Sequence, residues 1–258
     1  MKRMPALFIG HGSPMNAIED NPFSRAWAAL AQQLRKPEAI LCVSAHWETR
    51  GTSVTASARP ETIHDFHGFP RELFAVQYPA RGSQKLAAQV VQLLSGTTPV
   101  QLDEQRGLDH GAWSVLLPMY AGATIPVVQL SLDATQGPAF HYQLGQLLAP
   151  LRREGVLLMG SGNLVHNLGI MDWQRAGGFD WAERIDARAR QLMAAGEHAA
   201  LIAYETLDEQ VNLAVPTPEH YLPLLYTVGA QLPGDRVRFF NERCVMGSIS
   251  MTSVVLEN

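Results

Sequence analysis

The feature that most constrains this chain is a set of short apolar runs that stop abruptly, several of them at a histidine. Residues 6–9, Ala-Leu-Phe-Ile, give way to Gly10-His11-Gly12. Residues 39–45 end at His46-Trp47, and residues 156–159 are followed by Gly-Ser-Gly-Asn-Leu-Val-His166. Residues 126–132 form a further run that closes on Asp133. Runs this short and this apolar are typical of strands buried on both faces, as in a parallel sheet. Parallel neighbours need crossovers, and helical periodicity fills the gaps between the runs. Phe23, Trp27, Leu30 and Leu34 recur behind Asn21-Pro22, and Leu86, Val90, Leu93 and Leu94 recur behind a capping Ser83. Leu144, Leu147, Leu148 and Leu151 stripe residues 141–153, and residues 181–195 are amphipathic and rich in charge.

This alternation predicts an α/β fold: one globular domain over residues 1–258, with a central, mostly parallel sheet and helices on both faces. Residues 54–56 are expected as an edge strand, residues 107–113 as a loop, and residues 247–256 as a closing strand. Thr217-Pro218-Glu219 carries a helix-start signal, with the threonine as cap and proline at the first helical position. Sites in such sheets lie beyond the carboxyl ends of the strands, which is where His11 and His46 fall.

Composition narrows the function. Formal charge is −4 from 20 basic and 24 acidic residues, with no basic cluster; this argues against nucleic acid and against a membrane surface as partners. No apolar run approaches the roughly 20 residues of a spanning helix. The lead Met1-Lys-Arg-Met-Pro is too short for a signal peptide, and the two cysteines, Cys42 and Cys244, sit in apolar runs as expected for buried thiols. A cytoplasmic protein, monomeric or a small homo-oligomer, is the expectation.

Imidazole is the commonest metal ligand, and His11, His46, His166 and His220 are the candidates here. Each has a structural alternative: a turn histidine, a satisfied core histidine, a loop histidine and a solvent-facing helix residue, respectively. Glu219 is a rival to His220, because adjacent helix residues point about 100° apart and only one of them reaches an ion. It also suits the amino terminus of the helix that follows. His110 has Asp109 beside it and could orient substrate or shuttle a proton. His64 and His67 flank Asp65-Phe66 in an aromatic loop over residues 63–70. His141 and His198 take polar helix-start positions and are assigned no role. Two cysteines exclude a closed Cys-rich zinc site, and a three-histidine site leaves positions open for water or substrate, which is a catalytic arrangement. Imidazoles alone do not separate zinc from ferrous iron. There is no P-loop, no G-x-G-x-x-G, and Gly160-Ser161-Gly162 is not a nucleophile elbow.

Taken as an ordered set, Gly10-His-Gly-Ser-Pro14, Ser44-Ala-His-Trp47, Asp65-Phe-His-Gly-Phe-Pro70, Asp109-His-Gly111, Ser161-Gly-Asn-Leu-Val-His-Asn167 and Pro216-Thr-Pro-Glu-His-Tyr221 resemble one family. It is the LigB-like class III extradiol ring-cleaving dioxygenases, in the branch that includes DOPA 4,5-dioxygenases, and bacterial members in particular. The resemblance implies a metal in a cleft of an α/β globule and ring opening of a catechol with dioxygen. It implies His11 and His46 as metal ligands, with His220 standing where wider relatives supply a glutamate. His166 matches an acid/base histidine that in this branch also comes near the metal, and His110 a histidine handling substrate or oxygen. Ser13, His67 and Phe69 fall to the substrate side, with residues 63–70 as the aromatic wall. Ferrous iron is the metal expected for activity, and zinc can occupy the same site in isolated protein. The competing readings are a zinc-dependent hydrolase on the same histidines and a metal-binding or chelatase-like protein without catechol turnover.

Overall fold

The computed structural model describes residues 3–258. Met1 and Lys2, the start of the short lead discussed above, lie outside them. Ten strands alternate with helices among the described residues: β1 (Ala6–Gly10), β2 (Ala39–Thr49), β3 (Thr52–Thr55), β4 (Val100–Asp103), β5 (Val127–Asp133), β6 (Val156–Gly162), β7 (Arg236–Phe240), β8 (Cys244–Val245), β9 (Ile249–Ser250) and β10 (Ser253–Glu257). The helices are α1 (Pro22–Gln33), α2 (Arg71–Phe74), α3 (Gln84–Leu94), α4 (His110–Met119), α5 (Pro138–Leu148), α6 (Asp180–Ala195), α7 (His198–Ile202), α8 (Val211–Ala214) and α9 (Leu222–Gly229).

Eight strands form one sheet in the order β4-β3-β5-β2-β6-β1-β10-β7, and β8 pairs with β9 separately. The central four, β5-β2-β6-β1, are parallel. Their side chains explain the unbroken apolar runs. Phe8, Leu41, Val43, Leu130 and Leu158 enter one core with α3, α5, α6 and α9, while Leu7, Ile9, Ile40, Cys42 and Met159 enter a second core with α1 and α4. Successive residues point to opposite faces, and both faces are covered, so every position must be apolar. The sheet is thus wrapped on both sides, as the alternation of runs and helices predicts.

Several expectations are corrected in detail. Residues 54–56 are not at an edge: β3 lies between β4 and β5, and β4 takes the edge. The other edge, β7, alternates Arg236 and Arg238 with apolar residues and carries no strand-like run; charge on an edge discourages further pairing. The helix expected over residues 141–153 stops at Leu148 and tightens into a 3-10 turn over Ala149–Glu154, because Pro150 has no N–H to continue the ladder. The expected loop at 107–113 is a helix from His110 onward, with the Asp109 carboxylate accepting from the Ala112 N–H at 3.1 Å. The closing strand is broken into β9 and β10. The Thr217 side chain caps nothing: the turn over Pro218–His220 is 3-10, and α9 follows it. His141 is fully buried in α5, with its Nδ1 3.0 Å from the Tyr226 hydroxyl, rather than in a polar helix start.

Candidate metal centre

Because β5, β2, β6 and β1 run parallel, their carboxyl ends share one edge of the sheet. His11 follows β1 directly, and Gly12 takes a φ of +57° to turn the chain away. His46 belongs to β2, which extends to Thr49 rather than ending at Ala45. Pairing with β5 loses register between Val43 and Glu48, and such an irregularity re-aims the side chains within it. His166 lies beyond the end of β6. His220 is delivered by the turn before α9, and its carbonyl would stand 2.1 Å from a Cβ on Gly162. Only glycine lets the end of β6 come that close, where the Asn163 N–H donates to the same carbonyl at 2.8 Å.

The rings converge. His11 Nε2 and His46 Nε2 are 3.2 Å apart. The His220 ring centroid is 5.4 Å from that of His11 and 5.0 Å from that of His46. His166 stacks on His220 at 3.4 Å with planes 8° apart, and His110 lies 3.8 Å from His46. Ligand-capable atoms of His11, His46 and His110 lie within 4.8 Å of one another, as do those of His166, Glu219 and His220.

Hydrogen bonds decide which ring nitrogens face inward. The Ser161 hydroxyl donates its one proton to the Gly111 carbonyl at 2.5 Å, so at 3.0 Å from His11 Nδ1 it can only accept. His11 therefore carries its proton on Nδ1 and presents Nε2 as a lone pair. Glu219 Oε1 accepts from His220 Nδ1 at 3.0 Å and from the Thr217 hydroxyl at 2.9 Å. His220 Nε2 is then left buried with no hydrogen-bond partner among the described residues. The carboxylate expected to serve the helix amino terminus instead orients its neighbour's ring.

Burial, and then the neighbouring histidines, hold His11 and His220 well below the usual imidazole range. Burial and then His110 lower His46 to about 3, and burial and then His46 lower His166 to about 4. All four rings are neutral near pH 7, the state in which imidazole binds a cation. Two nitrogens at about 2.1 Å on a tetrahedral ion stand about 3.4 Å apart, close to the His11–His46 spacing. The orphaned Nε2 of His220 supplies a third donor with no other partner. The residues present thus fit a borderline divalent cation.

The carboxylate that serves His110 is not its sequence neighbour. Asp109 is fully buried and committed elsewhere: it accepts from the Ser44 hydroxyl at 2.7 Å, the Gln129 amide at 2.7 Å and the Ala112 N–H. The ring partner is Asp65, whose Oδ1 lies 2.9 Å from His110 Nδ1 and 3.0 Å from its backbone nitrogen. Of the residues read as substrate-side, Ser13 uses its oxygen to accept from the Met15 N–H, and His67 is exposed. Phe69 packs on Phe66 at 5.3 Å, and it is Phe66 that meets the His110 ring edge-on at 5.5 Å. Of Asp65, Phe66 and Ser161, sequence reasoning gave a part only to Phe66, within the aromatic wall over residues 63–70, and connected none of the three to a ring of the site. The first two stood in view between His64 and His67, but nothing local connects them to a helix 45 residues on.

The chain is similar to known proteins along most of its length. The family model of the catalytic LigB subunit of aromatic ring-opening dioxygenase matches residues 5–256. The 4,5-DOPA dioxygenase extradiol of Escherichia coli K12 is 49% identical over 98% of this chain and 94% of that protein. The 4,5-DOPA dioxygenase extradiol of Beta vulgaris is 42% identical over 87% of this chain and 85% of its own length. The crystal structure of an uncharacterized protein from Escherichia coli K12 superposes with a TM-score of 0.86 at 44% identity, covering 98% of this chain and 99% of the other. On the match across residues 5–256 and these identities, the chain belongs to the LigB family of aromatic ring-opening dioxygenases.

Proposed function

We propose that residues 1–258 act as one catalytic domain that opens the aromatic ring of a catechol such as DOPA, using dioxygen and a ferrous ion held by His11, His46 and His220. The observation that carries this reading is the convergence of neutral rings, with His11 Nε2 and His46 Nε2 3.2 Å apart and the Nε2 of His220 buried without a hydrogen-bond partner among the described residues. The 49% identity to a 4,5-DOPA dioxygenase supports the substrate class. The two buried cysteines, both free, support the cytoplasm as the compartment.

When bound, the metal supplies Lewis acidity to the catechol oxygens and a place for dioxygen beside them. The protein supplies the rest. His166, neutral near pH 7 and stacked on His220, accepts a proton from a catechol hydroxyl as general base. Returning that proton to the product oxygen makes the same ring the general acid. His110, 3.8 Å from His46, is the second histidine set to handle substrate or oxygen. Phe66, with Phe69 behind it, gives an aromatic wall beside His110, against which a catechol ring can pack edge-on or offset.

Anaerobic loading with ferrous iron or zinc, followed by a catechol panel with and without oxygen, tests the proposal. Yellow ring-opened product should form only with ferrous iron and oxygen together. Turnover that proceeds without oxygen in the zinc form would replace it with the hydrolase reading. No product from any catechol in the ferrous form would reject it.

A further inference from the structure

We infer that Asp65 is a positioning residue that fixes the His110 ring with its proton on Nδ1, leaving Nε2 as the nitrogen that faces the reaction. The role in turnover rests on the ring-opening reading, while the tautomer stands independently of it. The geometry is specific. A single oxygen, Asp65 Oδ1, accepts from both the backbone N–H and the ring Nδ1 of His110. The backbone N–H belongs to the first residue of α4, where no intrahelical acceptor exists. One carboxylate oxygen thus ties the aromatic loop to the helix start and orients the ring in the same contact. No other group can do this: Asp109 spends its carboxylate on Ser44, Gln129 and Ala112. Burial alone would raise the Asp65 carboxyl, yet the bonds from His110 hold it down to about 2, so the acceptor is a full anion.

The ring so held is packed in place. It lies 3.8 Å from His46 and meets Phe66 edge-on, and one of its nitrogens is within 4.8 Å of nitrogens on His11 and His46. With Nδ1 taken by the carboxylate, a proton arriving at or leaving this ring from the site must use Nε2. A ring free to exchange tautomers would present a donor or an acceptor there at random. The Asp65→Asn variant separates geometry from charge. Its amide oxygen can keep both bonds, and the opposite orientation would set the amide N–H₂ against the backbone N–H of His110.

Two measurements test the inference. The first is ¹⁵N NMR of histidine-labelled protein, loaded with zinc, with the His110 signals assigned by their loss in His110→Gln. A proton resident on Nδ1 in the wild type and in Asp65→Asn, with exchange between tautomers in Asp65→Ala, is expected. The second is steady-state kinetics of the ferrous enzyme on a catechol that the wild type turns over. Asp65→Ala should lose kcat by about 100-fold and Asp65→Asn by about tenfold, by analogy with the roughly 10- to 100-fold losses at orienting partners of metal-binding histidines. KM should stay within about threefold, and Asp65→Glu should recover part of the loss. A wild-type Nδ1 without a proton overturns the inference, as does a wild-type kcat in Asp65→Ala or a loss confined to KM. If the wild type opens no catechol, the ring-opening reading fails and the NMR result alone decides the tautomer. Should Asp65→Ala not fold, Asp65→Asn and the NMR comparison still decide it.

Discussion

A histidine can offer either ring nitrogen, so a cluster of histidines becomes a defined site only when something chooses for each ring. Here the choosers are Ser161 for His11, Glu219 for His220 and Asp65 for His110. If Glu219 orients rather than ligates, Glu219→Ala should weaken ferrous binding by about 10- to 100-fold, and Glu219→Gln should weaken it less. Anaerobic equilibrium dialysis reads this directly. A loss as complete as that of His220→Ala would make Glu219 the ligand instead. The ring-bearing residues were legible in the sequence because glycines and strand ends flag them, as at Gly10-His11-Gly12, where a turn histidine was the alternative reading. Their partners were not. Ser161 reaches His11 across 150 residues and Asp65 reaches His110 across 45, and a hydrogen bond between distant residues leaves no trace in local spacing.

Elements position these residues through their ends. β1 and β6 stop at the site, β2 runs through it with a break in register, and α4 begins at it. The strands with two buried faces were readable from unbroken apolar runs. β7 was not, because an edge strand carrying Arg236 and Arg238 has no such run. The α5 helix shows how burial of one residue can shape the response to acid. His141 is fully buried against Tyr226, and burial, opposed in part by the Asp133 carboxylate, lowers it from the usual imidazole range to about 4. In the unfolded chain it titrates near 6.5. Between these values the unfolded state binds more protons, so stability falls as pH falls through that window. The stability is fully present above about pH 6.5, and the loss attributable to this residue is on the order of 3 kcal/mol by pH 4. His141→Phe should flatten the urea-unfolding free energy between pH 6.5 and 4 relative to the wild type. An unchanged slope would assign the acid sensitivity elsewhere.

Across the whole molecule, the edge of the sheet opposite the histidines is fastened by one side chain. Arg152 is fully buried and donates to the carbonyls of Met4, Ala230 and Leu256 and, through both terminal nitrogens, to Asp235. It links the entry to β1, the end of β10, the segment after α9 and the residue before β7. Removing it takes a donor from three buried carbonyls but leaves the Asp235 carboxylate paired with Arg3 and the Leu232 N–H, so Arg152→Met should cost about 1–3 kcal/mol in urea unfolding. Metal stoichiometry of the folded fraction should be untouched, because Met4 lies at the far end of β1 from His11. A change in metal content without a change in stability would reverse that assignment.

Residues 11, 46 and 220, remote in the chain, are proposed to bind a single ion while residue 166 works beside it. Anaerobic ferrous titration of the wild type and the His11→Ala, His46→Ala, His220→Ala and His166→Ala variants measures this most directly. One ion per wild-type chain is expected, with binding lost in the first three variants and retained, without turnover, in His166→Ala. Wild-type ferrous affinity in His220→Ala, or a loss in His166→Ala equal to that in His11→Ala, would contradict it.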